Sequence, residues 1–316
     1  MANLSKLTNK VGVLGVPLGY GAGLTGSELG VNAMRLSKIR GRRLTDHIRN
    51  LGYEVTDHGD AAIISPDETT PNGGNPKYLK ELLGSSANII DAVSQILSDN
   101  EMPVILGGDH SINIATFSAI ASHYRNRGDE IGMIWFDAHA DINTPETSYS
   151  GNIHGMPLAT ILGHGQQDLT NLCGFLPKLN KKYLAHIGAR DVDDGERRQI
   201  EALGLKDQFF TMCDIDRRGM DACVQDAINI ASQAPGGYAV TFDIDMIDPH
   251  FAPGSGTLVR GGTTYREAHL ALELIAERGG MVSFEIVEVN PLLDQSNLTV
   301  ELAVDLIMSA LGKTIL

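Results

Sequence analysis

Eight short apolar runs alternate along this chain with longer amphipathic stretches, and that alternation restricts the available folds more than any other feature. The runs lie at 11–17 (VGVLGVP), 53–57 (YEVTD), 103–107 (PVILG), 131–137 (IGMIWFD), 183–189 (YLAHIGA), 208–212 (QFFTM), 238–243 (YAVTFD) and 281–287 (MVSFEIV). Helical patterns fill the intervals at 28–38, 77–99, 112–125, 154–162, 194–203, 219–233, 264–278 and 297–312. A capping box, Thr264 with Glu267, opens the helix at 264. Nearly continuous apolar strands such as IGMIWF belong in a parallel sheet covered by helices on both faces. A doubly wound sheet and a barrel both satisfy this pattern, and either collects its functional groups at the carboxyl ends of the strands. With 316 residues, 42% of them hydrophobic, the chain can bury a large core. There is no internal repeat, and SPDETTPNGGNP at 65–76 reads as a surface loop rather than a linker, so one domain over 1–316 is expected.

Six candidate metal ligands stand at or just past the ends of these runs: His110 in GGDH, Asp137, His139 and Asp141 in DAHAD, and Asp243 and Asp245 in DID. Two imidazoles and four carboxylates exceed an ordinary catalytic zinc site and are too rich in oxygen for a zinc cage. Two divalent ions would balance the four carboxylate charges, which would otherwise repel one another. A two-metal hydrolase follows. Alternate residues of a strand share a face, so an extended backbone would aim Asp137, His139 and Asp141 to one side, and likewise Asp243 and Asp245. Asp109 and Asp248 are assigned to turns and supporting hydrogen bonds, and His123, His164, His186, His250 and His269 to surface or packing.

The net charge of −14 argues against nucleic acid or an acidic membrane as the main partner, and suits a small cationic substrate. Cys173, Cys213 and Cys223 are odd in number, widely spaced and form no CxxC, which fits a reducing cytoplasm. The polar start MANLSKLTNK has no apolar signal core, and no apolar stretch reaches the roughly 18 residues of a membrane span. One motif competes. Gly21, Gly23 and Gly26 match GxGxxG, but Pro17 breaks the strand ahead of them and Asp57 lies too far beyond them for a dinucleotide fingerprint. A glycine-permitted loop passing close to the site mouth is the simpler reading.

The segments GGDHS at 107–111, DAHADINTPETSYSGNIHGMP at 137–157, IGARDVDDGE at 187–196, FDIDMIDPHFAPGSGT at 242–257, GGTTYRE at 261–267 and EVNPLLD at 288–294 carry a resemblance over nearly the whole chain. It resembles the ureohydrolase superfamily and, within it, the arginase family. The stretch after DIN is the most discriminating, since agmatinases and formiminoglutamases share the metal segments but match this loop poorly. The resemblance implies a three-layer α/β/α sandwich around an eight-stranded, mostly parallel sheet, and so decides against the barrel. It further implies two Mn2+ per chain and hydrolysis of L-arginine to L-ornithine and urea by a metal-bridging hydroxide.

By the same resemblance, the more buried manganese would be held by His110, Asp137, Asp141 and Asp245, and the second by Asp137, His139, Asp243 and Asp245. Asp137 and Asp245 would bridge. His154 matches a proton-shuttle histidine and Glu288 the carboxylate that holds the guanidinium. Asn143, Ser148, Ser150 and Asn152 match the loop that meets the substrate α-carboxylate, Asp193 the acceptor for the α-amino group, and Thr257 a pocket threonine. Asp141 can accept and relay a proton, and placement matters because a guanidinium is a poor electrophile. The family often forms homo-oligomers, trimers or hexamers.

Two departures stand out: Ala140 at the centre of DAHAD, and the first loop GAGLTGSELGVNAMR at 21–35, which lacks the family's usual Arg-Gly-Gly and Gly-Pro pattern. Neither touches a ligand. Two alternatives remain: a related ureohydrolase acting on agmatine or guanidinobutyrate, and a single-zinc amidohydrolase resembling deacetylases, which would not need His110 and Asp141.

Overall fold

The computed structural model describes residues 8–67 and 74–315. The first seven residues and 68–73, part of the expected 65–76 loop, lie outside the described residues. Among the described residues, eight strands form one sheet: β1 (Lys10–Val16), β2 (Glu54–Asp60), β3 (Met102–Gly107), β4 (Gly132–Phe136), β5 (Leu184–Ile187), β6 (Phe209–Phe210), β7 (Tyr238–Asp243) and β8 (Met281–Val287). Their order is β2-β1-β3-β8-β7-β4-β5-β6, with every neighbouring pair parallel. A barrel would pair β2 with β6, whereas here they form opposite edges.

The helices are α1 (Glu28–Leu36), α2 (Leu44–Asn50), α3 (Leu79–Ser98), α4 (Asn113–Arg125), α5 (Pro157–Ile161), α6 (Gln167–Thr170), α7 (Asp194–Leu203), α8 (Met212–Arg218), α9 (Met220–Ala231), α10 (Tyr265–Arg278) and α11 (Leu298–Ala310). One face of the sheet packs against α1, α2, α8, α9, α10 and α11 through side chains such as Met34, Ile48, Ala227, Leu272 and Val304. The other face packs against α3, α4, α5 and α6 through Ile89, Phe117, Leu158 and Leu169, with Ile200 of α7 at its margin. Three layers result, because β3, β4 and β7 are buried on both sides, as their unbroken apolar runs require.

The eight expected strands all form, with ends shifted by a residue or a few. The capping box of α10 is present: Glu267 N donates to Thr264 Oγ1 at 3.2 Å and Thr264 N to Glu267 Oε2 at 2.8 Å. Three helices were not foreseen. Helices α2, α6 and α8 span 7, 4 and 7 residues, too short to show a 3.6-residue period. The run at 208–212 shrinks to two strand residues because Thr211 instead caps α8 with Asp214. Among the described residues, no helix is long and apolar enough to cross a membrane.

Sheet order positions the site. β3, β8, β7 and β4 are the four central strands, side by side and all pointing the same way. Phe136 pairs with Phe242, Asp243 with Val287, and Leu106 with Ile286, so the residues just past each strand emerge at one level. Asp137, Asp243, Glu288 and the Gly108–His110 turn therefore share one crevice at the carboxyl edge.

Candidate metal centre

His110 begins a 3-10 turn capped by Asp109, whose carboxylate accepts from Ser111 N at 3.0 Å and Gly21 N at 2.7 Å. Asp109 thus serves the turn, as expected. Gly21 is required here, because a Cβ would lie 2.5 Å from Ser111 Oγ and 2.6 Å from Asp109 Oδ1. The 21–26 glycines form a loop against the site mouth, and Gly21 O also accepts from His154 N at 3.2 Å.

His110 is buried, and its Nε2 lies 3.0 Å from Thr241 Oγ1, which donates to Glu285 Oε1 at 2.9 Å. Glu285 also accepts from Asn113 Nδ2 at 2.9 Å and Thr116 Oγ1 at 2.7 Å. Thr241 and Glu285 are paired across β7 and β8, so the sheet itself holds this relay. It gives Nε2 the proton and turns the Nδ1 lone pair to the other side. There Nδ1 meets Asp137 Oδ2 at 3.1 Å and Asp141 Oδ2 and Asp243 Oδ2 each at 3.2 Å. No hydrogen bond of acceptable geometry satisfies Nδ1. Three carboxylate oxygens facing Nδ1 call for a positive charge between them, a proton on His110 when the site is empty or a metal ion when it is filled. Donor atoms about 3 Å apart match the spacing of neighbours around a divalent ion at roughly 2.1 Å. A second group joins Asp137, His139 and Asp245, with His139 Nδ1 3.4 Å from Asp137 Oδ1 and 3.1 Å from Asp245 Oδ2. Asp137 thus turns one oxygen to each histidine. The donor set fits two divalent ions.

Two expectations need correction. The backbone after β4 does not stay extended: Asp141 takes a left-handed conformation with φ of 53°, and Asp245 lies in the 3-10 turn Ile244–Met246. The ligands converge through turns, braced by His139 N on Asp137 Oδ1 at 2.7 Å and Asp245 N on Asp243 Oδ1 at 2.9 Å, rather than through strand alternation. In addition, Asp243 and not Asp245 accompanies His110, because Asp243 ends β7 while Asp245 has turned toward His139 and Thr257.

Burial opposes every charge in the crevice. It would raise Asp137, yet His110 and His139 hold that carboxyl well below the usual range. Burial, then Asp245 and Asp137, keeps Asp243 well above it, and burial with Asp137 pushes Asp141 up to about 6. These carboxylates cannot all ionise without a countercharge. The Trp135 indole, stacked on His110 at 4.3 Å, donates to Asp137 Oδ2 at 3.1 Å. Replacing Thr241 by Val would leave His110 Nε2 unpaired, and is expected to cost about 1–3 kcal/mol of stability in metal-free protein. Urea unfolding reads this, and an unchanged midpoint would show that His110 does not depend on the relay.

His154 lies in the 3-10 turn Ile153–Gly155 and its Nδ1 is 3.1 Å from Glu288 Oε1. Its side chain meets Glu288 rather than capping a helix, and α5 starts only at Pro157. Burial would lower His154, but the bond to Glu288 and that carboxylate's charge, helped by Asp141 and Asp109, push it up to about 9. Glu288 has φ of 63° just past β8, and its Oε1 also accepts from His110 N at 3.0 Å. Such an unfavourable backbone is tolerated where tertiary contacts over-determine it.

Of the expected substrate residues, Asn143 and Asp193 meet directly, the serines brace their own loop and Thr257 meets Asp245. Asn143 Nδ2 donates to Asp193 Oδ2 at 2.8 Å, and Thr147 Oγ1 to Asn143 Oδ1 at 2.8 Å. Ser148 Oγ accepts from Gly151 N at 3.0 Å, and Ser150 Oγ from Asn152 N at 3.1 Å. Thr257 Oγ1 donates to Asp245 Oδ2 at 2.9 Å. Two further residues brace these segments. Glu196, in a capping box with Asp193, is pushed up to about 8 by burial and accepts from Ile142 N at 3.4 Å. Arg190 donates to the carbonyls of Asp245, Met246 and Val259, pinning the loop that follows β7. A capping pattern three residues on from Asp193 was the available signal for Glu196; Arg190 had none. His186 is buried and stacks on Phe209 at 4.4 Å, a packing role as expected. The three cysteines are free, with Cys223 buried.

Residues 9–312 match the model of the arginase family. The chain is 40% identical to the arginase of Brevibacillus brevis over 98% of this chain and 100% of that one, and 41% identical to the arginase of Bacillus subtilis over 97% and 99%. The native arginase structure from Bacillus caldovelox superposes with a TM-score of 0.90 at 38% identity, covering 98% of this chain and 100% of that one. Full-length similarity of this degree, on a sheet whose central strand ends gather the ligand set, shows that the chain belongs to the arginase family.

Proposed function

We propose that this chain, folded as one catalytic domain over 1–316, hydrolyses L-arginine to L-ornithine and urea with two manganese ions. The observation that carries the reading is the junction of three groups in one crevice: the His110 and His139 ligand clusters, the His154–Glu288 pair and the Asn143–Asp193 pair. His110, Asp137, Asp141 and Asp243 would hold one ion, and Asp137, His139, Asp243 and Asp245 the other. In this assignment Asp137 and Asp243, rather than Asp137 and Asp245, would serve both ions. When bound, the ions supply Lewis-acid charge that makes water an adequate nucleophile near neutral pH.

The chain's own groups do the rest. Glu288 offers a buried carboxylate to the guanidinium, and Asn143, Ser148, Ser150, Asn152 and Asp193 orient the amino-acid end, fixing the electrophilic carbon against the metal ligands. Asp141 would accept the proton that water loses. His154, raised to about 9, is protonated at neutral pH and delivers a proton to the leaving amine. Two donor clusters rather than one favour this reading over a single-zinc amidohydrolase. The free cysteines accord with a cytoplasmic location, and the family resemblance with a homo-oligomer, a trimer or hexamer.

Urea release from L-arginine by manganese-reconstituted protein, with elemental analysis of the same sample, tests the proposal. One ion per fully active chain, or no urea, would overturn it. Replacement of His154 by Asn is expected to lower kcat by about 10²-fold or more with metal content unchanged, the usual scale of general acid catalysis. An unchanged kcat removes His154 from proton transfer.

A further inference from the structure

The segment just ahead of α3 reaches across to the 143–152 loop from outside. Lys77 N donates to Gly151 O at 2.9 Å, and the Asn75 amide donates to Pro145 O and, at 3.5 Å, to Ser148 O. Lys77, half-buried there, donates its ammonium to Asn152 Oδ1 at 2.9 Å. An ammonium has donors and no acceptor, so this bond selects which end of the Asn152 amide turns outward. Oδ1 is held by Lys77. Nδ2 points the other way, 3.0 Å from where a Cβ on Gly23 would stand, on the loop that lines the site mouth.

A carboxylate needs donors. An unrestrained Asn presents oxygen or nitrogen with little preference, and oxygen would repel a carboxylate. Lys77 removes that ambiguity. It also brings a positive charge to that end of the site in a chain whose net charge is −14.

We propose that Lys77 is a specificity-determining residue, selecting guanidino substrates that carry a carboxylate by fixing Asn152 as a donor and by offsetting the negative field at that end of the site. This rests on reading the 143–152 loop as the carboxylate subsite. A substrate without a carboxylate gains nothing from either effect. Loss of Lys77 therefore penalises one substrate class only.

The test compares manganese-loaded full-length wild type, Lys77→Met and Lys77→Arg in steady-state turnover of L-arginine and in inhibition by L-ornithine and 1,4-diaminobutane. Lys77→Met is expected to raise KM for L-arginine and the inhibition constant of L-ornithine about tenfold or more, with kcat changed by less than about twofold. The inhibition constant of 1,4-diaminobutane should hold steady, and Lys77→Arg should recover most of the loss. The wild-type KM should rise with added salt more steeply than that of Lys77→Met, as expected for an attraction between charges. An unchanged L-arginine KM in Lys77→Met overturns the inference, and so does an equal weakening of both inhibitors, which marks a merely structural loop contact. If wild type itself shows no preference for L-ornithine over 1,4-diaminobutane, the loop reading and the inference fall together. A wild-type preference left undiminished in Lys77→Met removes the inference alone.

Discussion

Replacement of Asp137 by Ala is expected to lower kcat/KM for L-arginine by about 10³-fold or more and to reduce manganese content, because metal charge stabilisation is worth several kcal/mol and each 1.4 kcal/mol is tenfold. Asp137 faces both histidines, with Oδ2 3.1 Å from His110 and Oδ1 3.4 Å from His139, so its loss opens both sites at once. His110→Ala opens one. It should retain more activity and more metal, the second cluster of Asp137, His139 and Asp245 being left whole. Parallel elemental analysis and kinetics on the two variants decide the matter. Two ions per chain and near-normal turnover in Asp137→Ala would remove it as a bridge.

L-arginine should exceed agmatine in kcat/KM by at least about 10³, since a site built around polar partners rejects analogues that leave them unpaired. Agmatine keeps the guanidinium that Glu288 would meet but has no carboxylate for the 143–152 loop. Comparable values for the two substrates would sink the L-arginine assignment and leave the metal hydrolase standing. Asp193→Ala should act mainly on KM. The structure adds a second consequence, because Asp193 is the N-cap of α7, with Glu196 N donating to its Oδ1 at 2.9 Å. Removing that cap costs about 1 kcal/mol of stability as well. Asp193→Asn keeps a capping oxygen while losing the charge, and so separates the two effects.

Strand periodicity and helix signals made most of the sheet and its covering helices legible, since a fully buried parallel strand has to be apolar on both faces and IGMIWF can be little else. The short helices α2, α6 and α8 escaped for want of length, and the edge strand β6 shrank where a cap competed with it. The candidate ligands were equally readable as candidates, because His110, Asp137, His139, Asp141, Asp243 and Asp245 lie in segments with no structural reason to be so polar at strand ends. Their grouping was not. Strand order set β3, β8, β7 and β4 side by side, a choice made by layer packing that no local sequence signal encodes. A turn then carried Asp245 toward His139 and left Asp243 beside His110, against the alternation that an extended backbone would impose. The Thr241–Glu285 relay, the His154–Glu288 pair and the Lys77 contact join residues 44, 134 and 75 positions apart. Residue types along the chain thus determined which chemistry was available, through burial and charge. The tertiary structure decided which groups meet, because a hydrogen bond depends on ångströms and on orientation, and these exist only once the layers have closed.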